Sequence, residues 1–387
     1  MSKKFKFIDL FAGLGGFRLA LNNVAIKNNF EIDCVFTSEI NNEVIKVYDH
    51  NFTKNQTISF RNKNKIDFIN IWEVDETASN VPKHNFLFAG FPCQAFSNAG
   101  KKEGFLNQTK GTLFFDVAKI LNYKKPEFAL LENVKHLVKH DNGNTWRVIQ
   151  ETLKEIGYIT VEKPLILSPI DFGIPQDRPR VFIPLVKKDL LPNDVEYLKL
   201  DFIKNEILKN REDWQTHRKN IFENILEENV DDSYYLANTK EGEELALVLD
   251  AWDEFLKNVK EEDKSLPVIW VDEMIDTSID TSNMTKWRKE YIDKMHQIYE
   301  KNKTFIDEWI NKYDVKNWSK RNKKFEWQAG KDINDIKNSF IQLRQSGIRC
   351  RRPISFPTLV AIVQIPLIWD NNAPEKFNNV NYLKFFI

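Results

Sequence analysis

The pattern of apolar and polar positions changes near residue 187. Before that point, short apolar runs alternate with amphipathic stretches of helical period, which predicts strands and helices in turn. The predicted helices include Thr112–Leu121 and Thr145–Ile156. Strands that alternate with helices usually form a mostly parallel sheet, with ligands at the carboxyl ends of the strands. The predicted strands are Phe5–Phe11, Asp33–Glu39, Phe86–Phe91, Phe128–Glu132, Ile159–Leu167 and Val181–Val186.

After residue 187 the chain consists of long polar and charged segments with scattered aromatic residues. Their apolar positions have a helical period, which predicts amphipathic helices over Lys204–Asn229, Glu241–Asp263 and Thr285–Tyr313. A late apolar run, Ser355–Gln364, is typical of a strand. The chain of 387 residues is long enough for two domains. We therefore expect an α/β domain followed by a second domain.

Composition narrows the possible partners and compartments. Lys and Arg together number 56, as do Asp and Glu, so a nucleic-acid surface would have to be local. No apolar run is long enough to span a membrane, and the first residues lack the apolar core of a signal peptide. Three widely spaced cysteines and six histidines show neither a disulfide framework nor metal-ligand spacing. These features predict a cytoplasmic protein without a metal.

Cys93 lies in the most informative segment, Phe91-Pro92-Cys93-Gln94. The segment follows an apolar strand, and Pro92 fixes the backbone just before the cysteine. A loop with several lysines comes next. A cysteine at the carboxyl end of a strand, before a basic loop, favours a nucleophile that acts on an anionic substrate. The alternative is a buried structural cysteine, since free Cys is among the most buried residue types.

Other candidate residues also follow predicted strands. The glycine-rich turn in Asp9–Leu21 precedes a helix, an arrangement that binds anions, and Glu39 could accept hydrogen bonds from a ribose. Glu132 ends an apolar run, and Arg178 and Arg180 precede another. Each feature has an ordinary alternative: a tight turn, a helix cap or a surface ion pair.

Taken together, these segments resemble the bacterial DNA (cytosine-5) methyltransferases of restriction-modification systems. The resemblance covers residues 5–186 and keeps the family's order of motifs. It implies a Rossmann-like, S-adenosylmethionine-dependent α/β sheet and a second, target-recognition domain. The matching segments are Asp9–Leu21, Gly90–Gly100, Gly111–Asp116, Glu132–Val134 and Gln176–Arg180.

The resemblance also implies a domain organisation. Residues 1–186 would form the catalytic, cofactor-binding domain and residues 187–370 the target-recognition region. Residues 371–387 would be a truncated return segment, because family members continue to a Gly-Asn motif and no Gly-Asn follows Gly143. A split enzyme with a second polypeptide, a truncated form and a variant pocket are the open explanations.

The family's reaction transfers a methyl group to C5 of a cytosine flipped out of a specific sequence in double-stranded DNA. The resemblance implies that the Cys93 thiolate adds to C6 and that Glu132 holds the N3/N4 edge of the base. Arg180 would bind O2, and Arg178 would support the site or the phosphates. Gln94 would fill the gap in the duplex or hold a phosphate.

The implied cofactor is S-adenosyl-L-methionine. Phe11 would stack on its adenine, Glu39 would bind the ribose, and the glycine-rich turn would face the methionine end. Asn70 stands where the family commonly has Asp, which loses a charge but keeps a hydrogen-bonding side chain. The implied cofactor-binding residues are Phe11, Ala12, Gly13, Gly15, Gly16, Phe17, Glu39, Asn70, Ile71, Pro92 and Leu113.

Basic runs at residues 320–327 and 344–352 predict contacts with DNA phosphates and base edges. The alternative is a solvated basic face. A bacterial or phage-encoded, nucleoid-associated enzyme is expected, while a tRNA cytosine-5 methyltransferase and an inactive DNA-binding remnant are the other functions to test. The predicted DNA-binding residues are Ser97, Lys110, Arg344, Arg349, Arg351, Arg352 and Thr358.

Overall fold

The computed structural model divides into two compact units. The first comprises residues 1–171 and 179–208, and the second comprises residues 172–178 and 209–387. The predicted boundary lies at 186/187, and the functional roles of the two regions stay predictions. The structure describes residues 3–54, 70–92, 113–172, 174, 176–203, 205–207, 236, 239–259, 266, 268–357, 366–370 and 382–385.

The strands and helices of the described residues are numbered in chain order. The strands are β1 (Lys4–Leu10), β2 (Glu31–Ser38), β3 (Phe86–Gly90), β4 (Phe128–Val134), β5 (Tyr158–Ile159), β6 (Leu165–Leu167), β7 (Gln176–Asp177), β8 (Arg180–Lys187), β9 (Ile269–Trp270), β10 (Lys324–Gln328), β11 (Phe340–Arg344), β12 (Gly347–Arg351), β13 (Phe356–Pro357), β14 (Leu367–Asp370) and β15 (Tyr382–Phe385). The α-helices are α1 (Gly16–Lys27), α2 (Asn42–Asp49), α3 (Leu113–Lys124), α4 (Asn144–Glu155), α5 (Lys240–Asn258), α6 (Val271–Ile275), α7 (Lys286–Lys301) and α8 (Lys303–Lys312).

The first unit contains a sheet in the order β2-β1-β3-β4-β8-β5, with β6 also paired to β8. Strands β1 to β4 are parallel, whereas β8 runs antiparallel to β4. The core packs α3 and α4 against the sheet through buried residues such as Val117, Ile149 and Leu131. This sheet confirms the predicted Rossmann-like α/β class. Its parallel strands bring the carboxyl ends of β1 to β4 to one edge.

One predicted strand, Ile159–Leu167, was wrong as a single element, because the chain forms the two short strands β5 and β6. The side-chain amide of Gln150 donates to the carbonyl oxygens of Val161 and Glu162, at 3.1 and 2.9 Å. A helix side chain therefore satisfies backbone groups that a continuous strand would pair with its neighbour. Pro164 follows, and proline cannot donate to a strand ladder.

The second unit contains a sheet in the order β15-β14-β11-β12-β10-β9. One face of this sheet packs against α5, α7 and α8 around the buried rings of Trp252, Trp309 and Phe325. The indole of Trp252 stacks on Phe325 with ring centroids 4.6 Å apart. A separate parallel pair joins β13 to β7. Six tryptophans of the second unit belong to this core or pack against it: Trp252, Trp270, Trp309, Trp318, Trp327 and Trp369.

The predicted helix Thr285–Tyr313 was also wrong as one element, because α7 and α8 are separated at Asn302. Asn302 leaves the helical conformation at φ −121° and ψ 21°, and its buried side-chain amide donates to the carbonyl of Ile298 at 2.9 Å. An asparagine side chain that bonds the backbone competes with helix continuation. Among the described residues, no helix is both long and apolar enough to cross a membrane.

Candidate active site

The turn after β1 has a backbone that few residue types adopt. Phe11, Gly13 and Gly15 all have positive φ, at 55°, 54° and 85°. A phenylalanine in this region is strained, and such strain concentrates at functional sites. The amide of Ala12 donates to the carbonyl of Ser38 at 3.0 Å, which ties the turn to the end of β2. The turn therefore has a fixed shape before α1 begins at Gly16.

Glu39 holds the same turn through its side chain. One carboxylate oxygen accepts from the amide of Gly13 at 2.9 Å, and the other accepts from the amides of Ile40 and Asn41, each at 2.9 Å. A carboxylate has about four lone-pair directions, so these bonds leave room for a ligand hydroxyl. Glu39 thus lies where it was predicted, at the junction of the turn and the second strand.

Gly15 is required by a close contact as well as by its backbone. A Cβ atom at this position would meet Cε2 of Phe52 at 2.2 Å, which is too short for any real side chain. The guanidinium carbon of Arg18 lies 4.6 Å from the centroid of the Phe52 ring. The Phe52 ring therefore packs between the turn and the buried guanidinium of Arg18.

Beneath this layer lies a buried polar group. Asp9 is fully buried, and one of its oxygens accepts from the Tyr48 hydroxyl at 3.4 Å. The other oxygen has no partner among the described residues. Burial raises the pKa of Asp9 to about 8, although the charge of Arg18 and the Tyr48 hydrogen bond act to lower that pKa.

The ends of β3 and β4 are joined by side-chain contacts. Gly90 pairs with Glu132 in the parallel register, and a Cβ on Gly90 would lie 3.4 Å from a Glu132 carboxylate oxygen and 3.9 Å from the carbonyl of Phe11. The buried amide of Asn133 donates to the carbonyl of Phe91 at 2.9 Å. Three strand ends therefore meet at Gly90. Asn133 fixes the segment that leads into Pro92 and Cys93.

Glu132 and Arg180 form an ion pair at this edge. Nε of Arg180 lies 3.0 Å from Oε1 of Glu132. Because Val134 is the antiparallel partner of Arg180, Glu132 is its diagonal neighbour on the same face of the sheet. The two side chains keep 24% and 21% of their surface exposed, so the pair is accessible to a ligand. The structure thus brings together two residues that lie 48 positions apart in the sequence.

The other predicted cofactor-binding residues are all among the described residues. The Asn70 side chain accepts from the amide of Trp72 at 3.2 Å, and Ile71 and Leu113 are buried in the core. Phe17 stacks on Phe88 with centroids 5.3 Å apart. Gly16 and Pro92 are exposed. Arg178 belongs to the second unit.

Five predicted residues fall outside the described part of the chain: Cys93, Gln94, Ser97, Lys110 and Thr358. The two cysteines that are described do not suit nucleophilic chemistry. Burial raises the pKa of the Cys34 thiol, and burial raises the pKa of the Cys350 thiol to about 12. Thiolate, rather than thiol, is the reactive form. Cys34 and Cys350 are therefore poor candidates.

The predicted DNA-binding arginines of the second unit are all paired with acidic residues. Arg344 and Arg349 contact Glu326, Arg351 contacts Asp177 at 3.2 Å, and Arg352 contacts Asp332. The structure therefore places them in specific ion pairs rather than on a purely solvated face. Whether they contact DNA stays a prediction.

Sequence reasoning missed several residues near the candidate site. Leu14 and Ile40 keep 62% and 64% of their surface exposed, and Trp72 is similarly exposed. Each is adjacent to a predicted cofactor residue, and large exposed apolar side chains there offer contacts for an aromatic ring. The sequence signal was their position directly after Gly13, Glu39 and Ile71. Asn133, whose signal was its place next to Glu132, was also missed.

Among the residues that the structure describes, no group of three or more His, Cys, Asp and Glu side chains suits a metal ion.

The family described as C-5 cytosine-specific DNA methylase matches residues 5–339, which is most of the chain. The chain belongs to this family. The match begins in β1 and extends through α8 and β10 of the second unit.

Individual methylases of the family are similar over part of their length. Type II methyltransferase M.HhaI of Haemophilus parahaemolyticus is 43% identical over 185 residues, which are 48% of this chain and 50% of that protein. Type II methyltransferase M1.ScrFI of Lactococcus lactis subsp. cremoris is 38% identical over 239 residues, 61% of this chain and 52% of that protein. The chain thus spans about half the length of the curated relatives it matches.

Among solved structures, a DNMT2 mutant of Spodoptera frugiperda is similar with a TM-score of 0.40 and 21% sequence identity. The matched region covers 63% of this chain and 64% of that chain. This similarity is too low to compare residues.

Proposed function

We propose that this methylase transfers a methyl group from S-adenosylmethionine to C5 of a cytosine in double-stranded DNA, as the modification enzyme of a restriction-modification system. The observation that carries the proposal is the Glu132–Arg180 pair beside Gly90, the last residue of β3, which precedes Pro92 by two residues and Cys93 by three. The pair offers an acceptor and a donor to one polar base edge, which is what recognition of a flipped base needs.

The residues of the first unit fit the cofactor. The positive-φ turn, the Glu39 carboxylate and the exposed side chains of Leu14 and Ile40 offer backbone amides, a hydroxyl acceptor and apolar contacts to one ligand. When bound, S-adenosylmethionine supplies the methyl group. Phe11 would contact its adenosine end, and the turn at Gly13 to Phe17 would contact the methionine end.

The protein's own groups do the rest of the chemistry. The Cys93 thiolate adds to C6 of the cytosine, which makes C5 nucleophilic. Glu132 accepts a hydrogen bond from the N4 amino group of the cytosine. It also stabilises a proton at N3, which neutralises the negative charge that the ring gains as the thiolate adds. Arg180 donates a hydrogen bond to O2. Asn133 positions the chain before Cys93 through the carbonyl of Phe91. Once C5 carries the methyl group, solvent water takes the C5 proton and the C6–S bond breaks, which restores the aromatic base and releases Cys93 as a thiolate.

Two assays test the proposal. Tritiated-methyl transfer should be observed with duplex DNA and not with tRNA, and bisulfite sequencing of DNA from cells that express the chain should show protected cytosines in one sequence context. Transfer to tRNA alone would contradict the proposal. The same assay, run with the chain alone, tests the predicted second polypeptide, which stays a prediction. A cytoplasmic, nucleoid-associated enzyme is part of the proposal.

A further inference from the structure

The central strands of the second unit's sheet have two chemically different faces. Side chains alternate between the faces of a strand. The apolar residues Phe325, Ile348 and Ile341 are fully buried in the core with the helices. Their neighbours in sequence point the other way, so the opposite face is mostly polar, although it also holds the buried Phe340, whose ring stacks on Phe356. That face carries Lys324, Glu326, Gln328, Gln342, Arg344, Arg349 and Arg351.

The strand register assembles a group of charges on this face, which we name the Glu326 cluster: Lys324, Glu326, Arg344 and Arg349. Glu326 on β10 pairs directly with Arg349 on β12. Lys324 covers Gly347, whose Cβ would meet the lysine side chain at 2.9 Å. The cluster therefore depends on β10, β11 and β12 being adjacent.

Three cations converge on the one carboxylate. Nε and Nη2 of Arg349 both contact Oε2 of Glu326 at 2.5 Å, and Nη1 of Arg344 lies 3.2 and 3.3 Å from the two oxygens. Nζ of Lys324 lies 3.3 Å from Oε1. Burial alone would raise the pKa of Glu326. The hydrogen bond and charge of Arg349, with Lys324 and Arg344, outweigh burial and hold that pKa below its usual value.

The cluster has more positive than negative charge. Glu326 is 5% exposed, whereas the side chains of Arg344 and Arg349 keep 29% and 26% of their surface. A guanidinium has five N–H donors in a planar fork, and the carboxylate takes only part of them. The carboxylate is thus buried beneath two partly exposed guanidinium groups. Next to them, Gln345 and Ser346 form an exposed turn.

We propose that the Glu326 cluster binds DNA phosphates, and that Glu326 is a positioning residue that orients Arg344 and Arg349 toward them. This inference rests on the proposed function, because it takes duplex DNA as the partner. Excess positive charge attracts phosphates, and a fixed guanidinium loses less conformational freedom when it binds.

Substitutions at Glu326 distinguish positioning from charge by the sign of the effect. Removing a negative charge should strengthen DNA binding if only the net charge matters. If Glu326 positions the arginines, Glu326→Gln should instead weaken binding by about tenfold. Glu326→Asp keeps the charge but shortens the side chain, so a loss of affinity in this variant reports geometry alone. Thermal unfolding of each variant checks that the unit still folds.

The arginines are tested by the salt dependence of binding. Fluorescence anisotropy of labelled duplexes, between about 50 and 200 mM salt, should show that Arg344→Gln and Arg349→Gln each reduce the slope of log affinity against log salt by about one. The loss should be the same for duplexes of unrelated sequence. The matched control is Arg147→Gln, because Arg147 also pairs with a carboxylate, that of Glu151 at 3.3 Å, but lies on α4 of the first unit.

The outcomes separate this inference from the proposed function. If the wild type transfers methyl groups but Arg344→Gln and Arg349→Gln bind DNA as tightly as Arg147→Gln does, the phosphate site is wrong and the proposed function stands. If those two variants bind DNA more weakly but the wild type transfers no methyl group, the proposed methylation is wrong and the phosphate site stands. A loss confined to one DNA sequence would show base-edge contacts and contradict phosphate binding. Folded Glu326 variants that bind at least as tightly as the wild type would contradict positioning.

Discussion

Both units place a glutamate against arginine, but the two arrangements differ in depth and in charge. In the first unit, Glu132 contacts Arg180 where β4 and β8 meet, and both side chains are about one quarter exposed. In the second unit, Glu326 is almost fully buried under Lys324 and two arginines. An accessible pair can exchange its contacts for a ligand, whereas a buried carboxylate under several cations acts as a fixed support.

The difference teaches which end of each pair is available for function. At the candidate active site, both the acceptor and the donor can turn toward a base, which suits chemistry. In the Glu326 cluster only the cations reach the surface, which suits binding of an anion. We therefore expect substitutions in the first unit to change the chemical rate and substitutions in the second unit to change DNA affinity.

The largest effect is expected from Cys93→Ser. If the first unit carries the chemistry through Cys93, this substitution should lower methyl transfer by at least about a thousandfold, since a hydroxyl is a far weaker nucleophile than a thiolate. The stable adduct with DNA that contains 5-fluorocytosine should also disappear on denaturing gels. Cys34→Ser and Cys350→Ser are the controls and should keep the adduct. A turnover near that of the wild type in Cys93→Ser would end this mechanism.

Glu132→Gln should have the next largest effect. The substitution removes the charge that opposes Arg180 and that stabilises a protonated base, so single-turnover methyl transfer should slow by about a hundredfold or more. Affinity for S-adenosylmethionine, measured by calorimetry, should change little. Equal losses of rate and of cofactor affinity would instead indicate a structural role and remove the contrast with Glu326.

Gly15→Ala tests the shape of the turn. The substitution should destabilise the first unit by about 2–4 kcal/mol, because φ of 85° is unfavourable for alanine and the new Cβ would overlap Phe52. Urea unfolding measures the free energy. Gly16→Ala is the matched control for stability, since nothing lies within 4 Å of its Cβ position. Similar stabilities of the two variants would show that the Phe52 contact can relax without cost.

The smallest effect concerns the pH dependence of stability. Because the pKa of Asp9 is raised to about 8, the native state keeps a proton that the unfolded state has lost above about pH 4. Stability should therefore fall as pH rises through this window. Asp9→Asn should remove that fall. The free energy of unfolding of the variant minus that of the wild type, measured in urea, should therefore increase by roughly 1 kcal/mol or more between about pH 5 and pH 7.5.

Glu326 should show the opposite sign. Its pKa is lowered, so its contribution to stability is present above the ordinary pKa of glutamate and is lost as pH falls through the folded-state value. Glu326→Gln should therefore cost most stability at neutral pH and least in acid. If the stability differences of Asp9→Asn and Glu326→Gln from the wild type change with pH in the same direction, then the pKa values of the two buried carboxylates are not shifted in opposite directions.

The sequence was sufficient for the parallel strands of the first unit because their signals are local. Each strand of the parallel sheet is a short apolar run, and the site residues follow those runs directly. Glu39 and Glu132 could therefore be placed at one sheet edge without coordinates. The pairing of Asn133 with Phe91 could not, because it depends on which strand lies beside β4.

The second unit was harder to predict because its key strands are short and mixed in composition. Lys324 to Gln328 alternates polar and apolar residues, which is a strand signal, but the density of basic residues at 320–327 indicated only a DNA-contacting run or a solvated face. The buried position of Glu326 depends on β10 and β12 pairing across a gap in the sequence. Only the structure shows that one carboxylate serves three cations.

The pairing of β7 with β13 has a consequence for how the chain folds during synthesis. Asp177 and Arg351, whose side chains form an ion pair beside this pairing, are separated by 174 residues. Strand β8, a member of the first unit's sheet, is made directly after β7, whereas β13 is made much later. Closing so long a loop is slow and entropically unfavourable. We therefore expect the segment at residues 176–177 to remain unpaired on the ribosome until most of the chain has been translated, and a fragment that begins after it to fold less stably.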